Sequence, residues 1–360
     1  MPYNILLLGA SYGSLLAAKL LFGRHSIHLV CLPEEARLIN SEGFKVVLPI
    51  RGRTQPIELA SRTLPGRVSA GPAGAVDPGR YDLIGLCMQE PQYCAPGVRE
   101  LLDAIGRSGV PCMSLMNMPP LPYLKRIVGL DTKVVEAAYT DPRIWDSFSP
   151  ARMTLTSPDP QAIRRDGEPL NKLTVTLPTN FKCAAFADDT ANTLLRQLEQ
   201  DVDDAAFHQG DERIPLPVKL RVSDSPFTPL AKWAMLLSGN YRCVTKDSPR
   251  TVQEAVHSDI ETSRSVYTFV NELCLRLGAI DADLVPFEKY AQAAKSLVSP
   301  SSAARALHTG AKNIERTDLL VQLIAQSHGL HHPTIDAQVA LVNQRLAWNR
   351  SECLRGQARA

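Results

Sequence analysis

Short apolar runs punctuated by Gly, Pro and Asn alternate with helical stretches over the first half of the chain. The second half keeps only the helical period. Asn4 to Leu8 is an apolar run that stops at Gly9, and Leu15 to Leu21 then reads as a helix. A second run covers Ile27 to Leu32. Further strands are expected at 43–48, 81–88, 111–116, 133–140, 152–156, 173–178 and 216–222, with Pro217 placing the last at an edge. Ile57-Glu58-Leu59 reads as an edge strand, and helices are expected at about 96–108 and 190–199. From Pro229 the pattern predicts helices at 229–244, 250–277, 286–298, 310–328 and 333–347. The boundary falls near 223–228, where Ser, Asp and Pro cluster. The expected domains are therefore 1–225 and 226–350, with a frayed polar tail at 351–360. The fold class is an α/β, Rossmann-type domain followed by an all-helical one.

The stretch Gly9-Ala10-Ser11-Tyr12-Gly13-Ser14 joins the first strand to the first helix. Strand, glycine turn, helix and strand open a dinucleotide-binding fold. Gly9 allows the tight turn, and Ser11 and Gly13 are small enough for a pyrophosphate to approach backbone amides at the helix N-terminus. A strict GxGxxG would place small residues at 9, 11 and 14, here Gly9, Ser11 and Ser14. The alternative is that Gly13 is the last glycine of a turn one residue shorter. At the end of the second strand, Cys31 and Leu32 supply neither the acid that reads a free ribose 2'-hydroxyl nor the arginine that reads a 2'-phosphate. Glu34, Glu35 and Arg37 lie just beyond. Met88, Gln89, Gln92 and Asn117 follow the C-terminal ends of later parallel strands, where ligands bind in this architecture.

A net charge of +2 on 39 basic and 37 acidic side chains argues against nucleic-acid steering. No continuous apolar run is long enough for a membrane span, and no leader pattern precedes the first strand. The 8 cysteines are scattered without a CxxC and read as buried thiols, so a cytoplasmic location is expected. His328, His331, His332 and Asp336 cluster at a helix end, which the helix dipole explains without a metal.

The order and spacing of these pieces resemble the ketopantoate reductase family. The resemblance is carried by Leu6 to Ser14, Leu29 to Leu32, Glu42-Gly43-Phe44, Asp82 to Gln92, Ser114 to Asn117, Trp233 to Val244, Lys295-Ser296-Leu297 and Gly310 to Gly329. It runs from residue 3 to about 347, and the helical half is similar to the C-terminal part of 6-phosphogluconate dehydrogenases. The resemblance implies NADP as cofactor, with NAD as the other form, and hydride transfer to a small, carboxylate-bearing 2-oxo acid. It also implies a helical-domain lysine that protonates the growing alkoxide.

Carried over by position, the family's pattern is broken. Asn117 matches its asparagine, and Gln92 its polar residue after the preceding strand. Gln89 stands where a lysine is usual. Anchoring on Trp233 puts Met235 at the catalytic lysine, and Gly239 and Cys243 at two asparagines. Asn313 falls at the substrate-binding glutamate, with Glu315 two residues on, and Ser296 matches the family's serine region. Methionine cannot protonate an alkoxide. Lys232 is the substitute, because it lies only about 20° around the helix from Gly239. Asn240, Lys295 and Ser296 complete the candidate catalytic set, and Lys312 is a further cation. Tyr139, Trp145 and Phe148 suit either a cleft wall or packing. Two other classes stay open. One is a non-catalytic nucleotide-binding or scaffold protein. The other is an opine-type dehydrogenase with His257 paired to Asp259 or Glu261. Apolar residues on 250–277 suit a cleft wall or a homodimer contact.

Overall fold

The computed structural model describes residues 2–357, with side chains to residue 352. Fourteen strands are present among them: β1 (Asn4–Leu8), β2 (Ser26–Val30), β3 (Lys45–Leu48), β4 (Ile57–Ala60), β5 (Arg67–Gly71), β6 (Leu83–Leu86), β7 (Cys112–Leu115), β8 (Met153–Ser157), β9 (Gln161–Ile163), β10 (Lys172–Leu177), β11 (Phe181–Ala184), β12 (Ala206–Gln209), β13 (Glu212–Pro215) and β14 (Leu220–Ser223). Eight form one sheet in the order β14-β11-β8-β7-β6-β1-β2-β5. All its neighbours are parallel except β8 and β11. A second sheet has the order β4-β3-β10-β9, and β12 pairs with β13. Strand order reverses at β1, which is the switch point of a doubly wound sheet.

Ile5 to Leu8 are fully buried. A parallel sheet covered on both faces favours such a continuous apolar run over alternation. Gly85 on β6 leaves the room that Leu7 fills: a Cβ there would lie 2.3 Å from Leu7 Cδ2. Leu7 pairs directly with Gly85 in the β1–β6 register. The helix Tyr12–Leu20 (α1) then packs Leu15, Leu16, Ala17 and Leu20 into the same core.

Among the described residues, the chain divides into this α/β unit (to 88, 92–126 and 143–229) and a helical unit (89–91, 127–142 and from 230). The α/β region is Rossmann-like and is followed by a helical bundle. The segment expected as a strand at 133–140 is instead a 3-10 helix, Thr132–Ala138. Asp131 accepts the Lys133 N–H at 3.0 Å and starts that turn, and the segment packs against the helix Thr317–Ser327. Tertiary packing there overrides the β-propensity of Val134-Val135.

The helix expected at 250–277 is two helices, Val252–His257 and Ile260–Arg276. Asp259 breaks it by capping the second, accepting the Thr262 N–H at 3.0 Å. The stretch 229–244 is helical but not uniform. It runs as an α-turn, a π-helical turn at Leu236–Asn240 and a 3-10 turn. The span 310–328 reduces to Thr317–Ser327, and an unforeseen helix, Ser302–His308, precedes it. Residues 216–222 are strand only from Leu220. The last helix, Pro333–Gln357, extends through most of the expected tail; residues 358–360 lie outside those described. No helix among the described residues is long and apolar enough to cross a membrane.

One buried cation anchors the α/β unit. Lys19 is fully buried on α1, and its ammonium donates to the Pro217 carbonyl at 3.0 Å. The next residue, Val218, is buried with φ of 62°, in a region costly for a β-branched side chain. Burial, then the neighbouring Lys219, lowers the Lys19 pKa to about 7, against a smaller opposing effect of Asp203. The folded-state value lies below the unfolded 10.5. Its contribution to stability is therefore full at alkaline pH and is lost as pH falls through about 7. Unfolding titrations should show wild type gaining stability over Lys19→Met between about pH 7 and about pH 10, by up to about 4 kcal/mol. Parallel pH profiles would remove this assignment.

Candidate functional site

In the α/β unit the site begins where β1 ends. Gly9 has φ of 100°, and its N–H donates to the Val30 carbonyl at 2.8 Å. A Cβ here would lie 2.6 Å from Met88 Cγ and 2.9 Å from the Cys87 carbonyl oxygen. Backbone angle and space therefore both demand glycine. Gly13 is different: a Cβ there would meet Leu29 and Cys87 at ordinary contact distances. Ser14 is buried and donates to the Ala10 carbonyl, so its hydroxyl closes the turn. Ala10 is buried behind the turn. Ser11 is the N-cap of α1 and makes no side-chain capping bond to the helix amides. A helix start without a side-chain cap offers its first-turn donors to an anion. The turn thus fits a dinucleotide pyrophosphate.

Tyr12 departs from a bare phosphate turn. Its hydroxyl donates to the Pro160 carbonyl at 2.9 Å, tying the β8–β9 connection to the start of α1. Leu32 is largely exposed at the end of β2 and begins the helix Pro33–Glu42 (α2). Met88 is half-buried, and its N–H donates to the Tyr93 hydroxyl at 3.1 Å. Gln92 is exposed, and Asn117 is half-buried just beyond β7. Trp145 is buried, with its ring 5.8 Å from Tyr93 and 5.7 Å from Phe148. Trp145 and Phe148 therefore pack within this unit.

In the helical unit, Lys232 is half-buried at the start of the helix Lys232–Met235. Packing requires the small residue at 239. The Tyr290 hydroxyl donates to the Met235 carbonyl at 3.1 Å and occupies the space a side chain at 239 would need. A Cβ on Gly239 would lie 1.9 Å from that oxygen. Tyr290 stacks on Tyr267 at 5.5 Å, which holds it in place. Cys243 is fully buried, its thiol directed at the Gly239 carbonyl, and burial pushes its pKa up. The π-helical turn thus wraps around an inserted tyrosine. Asn240 is half-buried, and its carbonyl accepts from Ser301 at 2.6 Å. Lys295 and Ser296 are exposed at the end of the helix Phe287–Ala294, where Ser296 bonds only to the Ala293 carbonyl among the bonds seen.

Sequence reasoning missed an acidic cluster in this unit. Glu90 is fully buried, its carboxyl accepting the Thr140 N–H at 3.0 Å and the Thr140 hydroxyl at 2.8 Å. Burial raises its pKa to about 7, Glu315 and Asp141 push the same way, and the Thr140 bonds oppose the rise. Tyr139 is buried beside it, its pKa raised by burial and then by Glu90. Glu315 is the buried acid ahead of the helix Thr317–Ser327, whereas Asn313 is exposed and accepts from Arg350 at 2.9 Å. The signal was only an acid next to Pro91, which no periodicity flags. Exposed Gln89 precedes it.

The opine-type pair is spent on local structure. A ring nitrogen of His257 lies 3.0 Å from the Ala291 carbonyl, and Asp259 caps its helix. No group of three metal-ligating side chains occurs among the described residues.

Two measurements check these placements. The folded Glu90 pKa lies above its unfolded 4.5, so its contribution is full in acid and is lost as pH rises through about 7. Wild type should lose about 3 kcal/mol relative to Glu90→Gln between about pH 5 and about pH 8; a constant difference would contradict the buried neutral acid. Gly239→Ala should cost at least about 2 kcal/mol, with Tyr290→Phe in the same chain recovering part of it. Strictly additive losses would show that the two positions do not compete for space.

No protein-family model and no curated protein matches the chain. Solved structures do match in fold. A candidate ketopantoate reductase from Ralstonia solanacearum MolK2 aligns with a TM-score of 0.67 at 14% identity, covering 97% of this chain and 99% of that one. D-mandelate dehydrogenase, solved with NADH and anilino(oxo)acetate, aligns at 0.63 and 14% identity over 96% and 99%. The 2-dehydropantoate 2-reductase of Methylococcus capsulatus aligns at 0.61 and 10% identity over 96% and 97%. Over nearly its whole length, the chain has the fold shared by ketopantoate reductases and D-mandelate dehydrogenase.

Proposed function

We propose that the protein is a dinucleotide-dependent oxidoreductase acting on a small 2-oxo acid or a related carbonyl. The observation that carries this reading is the Gly9 turn. Its positive φ, the filled space behind it and the start of α1 without a side-chain cap together make a phosphate cradle. The fold-level likeness to a D-mandelate dehydrogenase solved with NADH supports the same class. When bound, the reduced nicotinamide supplies the hydride. The chain must then meet the negative charge growing on the carbonyl oxygen.

Lys232 is our candidate for that role, as cation and proton donor, with Asn117 and Asn240 as polar contacts to substrate. Lys295 and Ser296 are exposed and are lesser candidates. Ketopantoate itself is not the substrate we favour, because Tyr290 takes the place where the family's first helical asparagine would project.

The test is oxidation of reduced nicotinamide across a panel of 2-oxo acids. Turnover should appear with at least one, and Lys232→Ala should lower kcat by about 100-fold or more while dinucleotide affinity stays unchanged. Dinucleotide binding without turnover on any carbonyl would leave a nucleotide-binding protein that has lost its chemistry. Full activity in Lys232→Ala would remove the lysine from the mechanism.

A further inference from the structure

The end of β2 is where the adenosine ribose lies in this architecture, and the residues there, Cys31 and Leu32, carry no charge. The fold brings charge from elsewhere. Arg164 leaves the short strand β9 and forms a close ion pair with Glu35 in the first turn of α2. α2 begins directly after Leu32, and the Ala36 N–H donates back to the Leu32 carbonyl at 2.9 Å, so a pair made by Glu35 in its first turn sits next to the end of β2. Glu35 is 5% exposed. The Arg164 side chain is 31% exposed, and its Nε is buried without a hydrogen-bond partner. The Tyr12 hydroxyl bond to Pro160 fixes the same β8–β9 segment to the start of α1. One segment is thus tied at two points, at the turn after β1 and next to the end of β2.

We infer that the Arg164–Glu35 pair reads the adenosine ribose and selects NAD(H) over NADP(H). This rests on the dinucleotide reading above and names the form that the site takes. The argument is electrostatic. A free arginine at this position attracts a 2'-phosphate. Here a buried carboxylate already neutralises the guanidinium, so the pair offers no net positive charge. A 2'-phosphate, an acceptor carrying nearly two negative charges, would approach an acceptor-only carboxylate. A 2'-hydroxyl both donates and accepts, so it matches a carboxylate and a guanidinium side by side. Glu34 and Arg37 on α2 and Arg165 just after β9 are all exposed, where solvent screens them. The choice therefore falls to half-buried Arg164 and its buried partner Glu35.

The test is titration of the full-length protein with NADH and with NADPH, followed by nicotinamide fluorescence. 5'-AMP and adenosine 2',5'-bisphosphate serve as competitors. Wild type should bind NADH at least about tenfold tighter than NADPH, with the competitors ranked the same way. Glu35→Gln keeps an acceptor for Arg164 but removes the charge, and should tighten NADPH by about fivefold or more with little change for NADH. Should that variant fail to fold, the double variant Glu35→Gln with Arg164→Gln, which leaves no unpaired charge, should narrow the NADH preference, and an unchanged ratio there overturns the inference as well. Equal or tighter binding of NADPH by wild type overturns the inference, as does an unchanged ratio in a folded Glu35→Gln. Binding of neither form overturns the cofactor reading itself, an outcome separable from a reversed preference.

Discussion

The α/β unit depends on one crowded point, the turn after β1. Gly9 sits where the chain must leave the sheet with a positive φ while Met88 and the Cys87 carbonyl press against it. That contact couples the end of β1 to the end of β6, the two strands that flank the switch in strand order. It also sets the direction in which α1 departs. Once α1 is aimed, Lys19 on its last turn reaches Pro217 and fixes the approach to β14, at the far edge of the same sheet. Val218, the next residue, holds its positive φ directly beside that bond.

Much of this was legible from the residue pattern because it rests on local physics. The runs at Asn4–Leu8, 81–88 and 111–116 are short, apolar and bounded by turn formers, and they became β1, β6 and β7. The Rossmann-type region followed by helices was readable for the same reason. Failures occurred where an isolated side chain decides the outcome. Asp131 and Asp259 each redirect the backbone through one hydrogen bond, and hydrophobic period does not register such a bond. The strand β5 was hidden in a stretch rich in Gly, Pro and Arg, because its pairing with β2 supplies order that its own sequence lacks.

The candidate site was legible only in part. The phosphate turn is local, so its residues could be named. Glu90, Tyr290 and Arg164 act through contacts across long separations: 50 residues to Thr140, 55 to Met235 and 129 to Glu35. No spacing rule connects such positions. Anchoring on Trp233 identified Gly239 as a departure from the family, yet gave no reason for it. The reason is steric, since Tyr290 comes from another helix to fill the space.

Gly239 and Tyr290 belong to one packing arrangement. A glycine left by drift would leave a void or a solvent-filled notch. Here the void is filled by a phenol that bonds to the backbone carbonyl of Met235, within a π-helical turn, and stacks on a second tyrosine. Removing a side chain and inserting another are separate changes, and neither is tolerated alone: an unfilled gap costs packing energy, and an occupied gap costs overlap. The pair therefore marks a rebuilt wall. In the α/β unit the segment carrying Arg164 shows the same logic, because a buried Glu35 is tolerable only with its cation in place. Tyr290 against Gly239 and Arg164 against Glu35 are each matched by a partner far away in sequence.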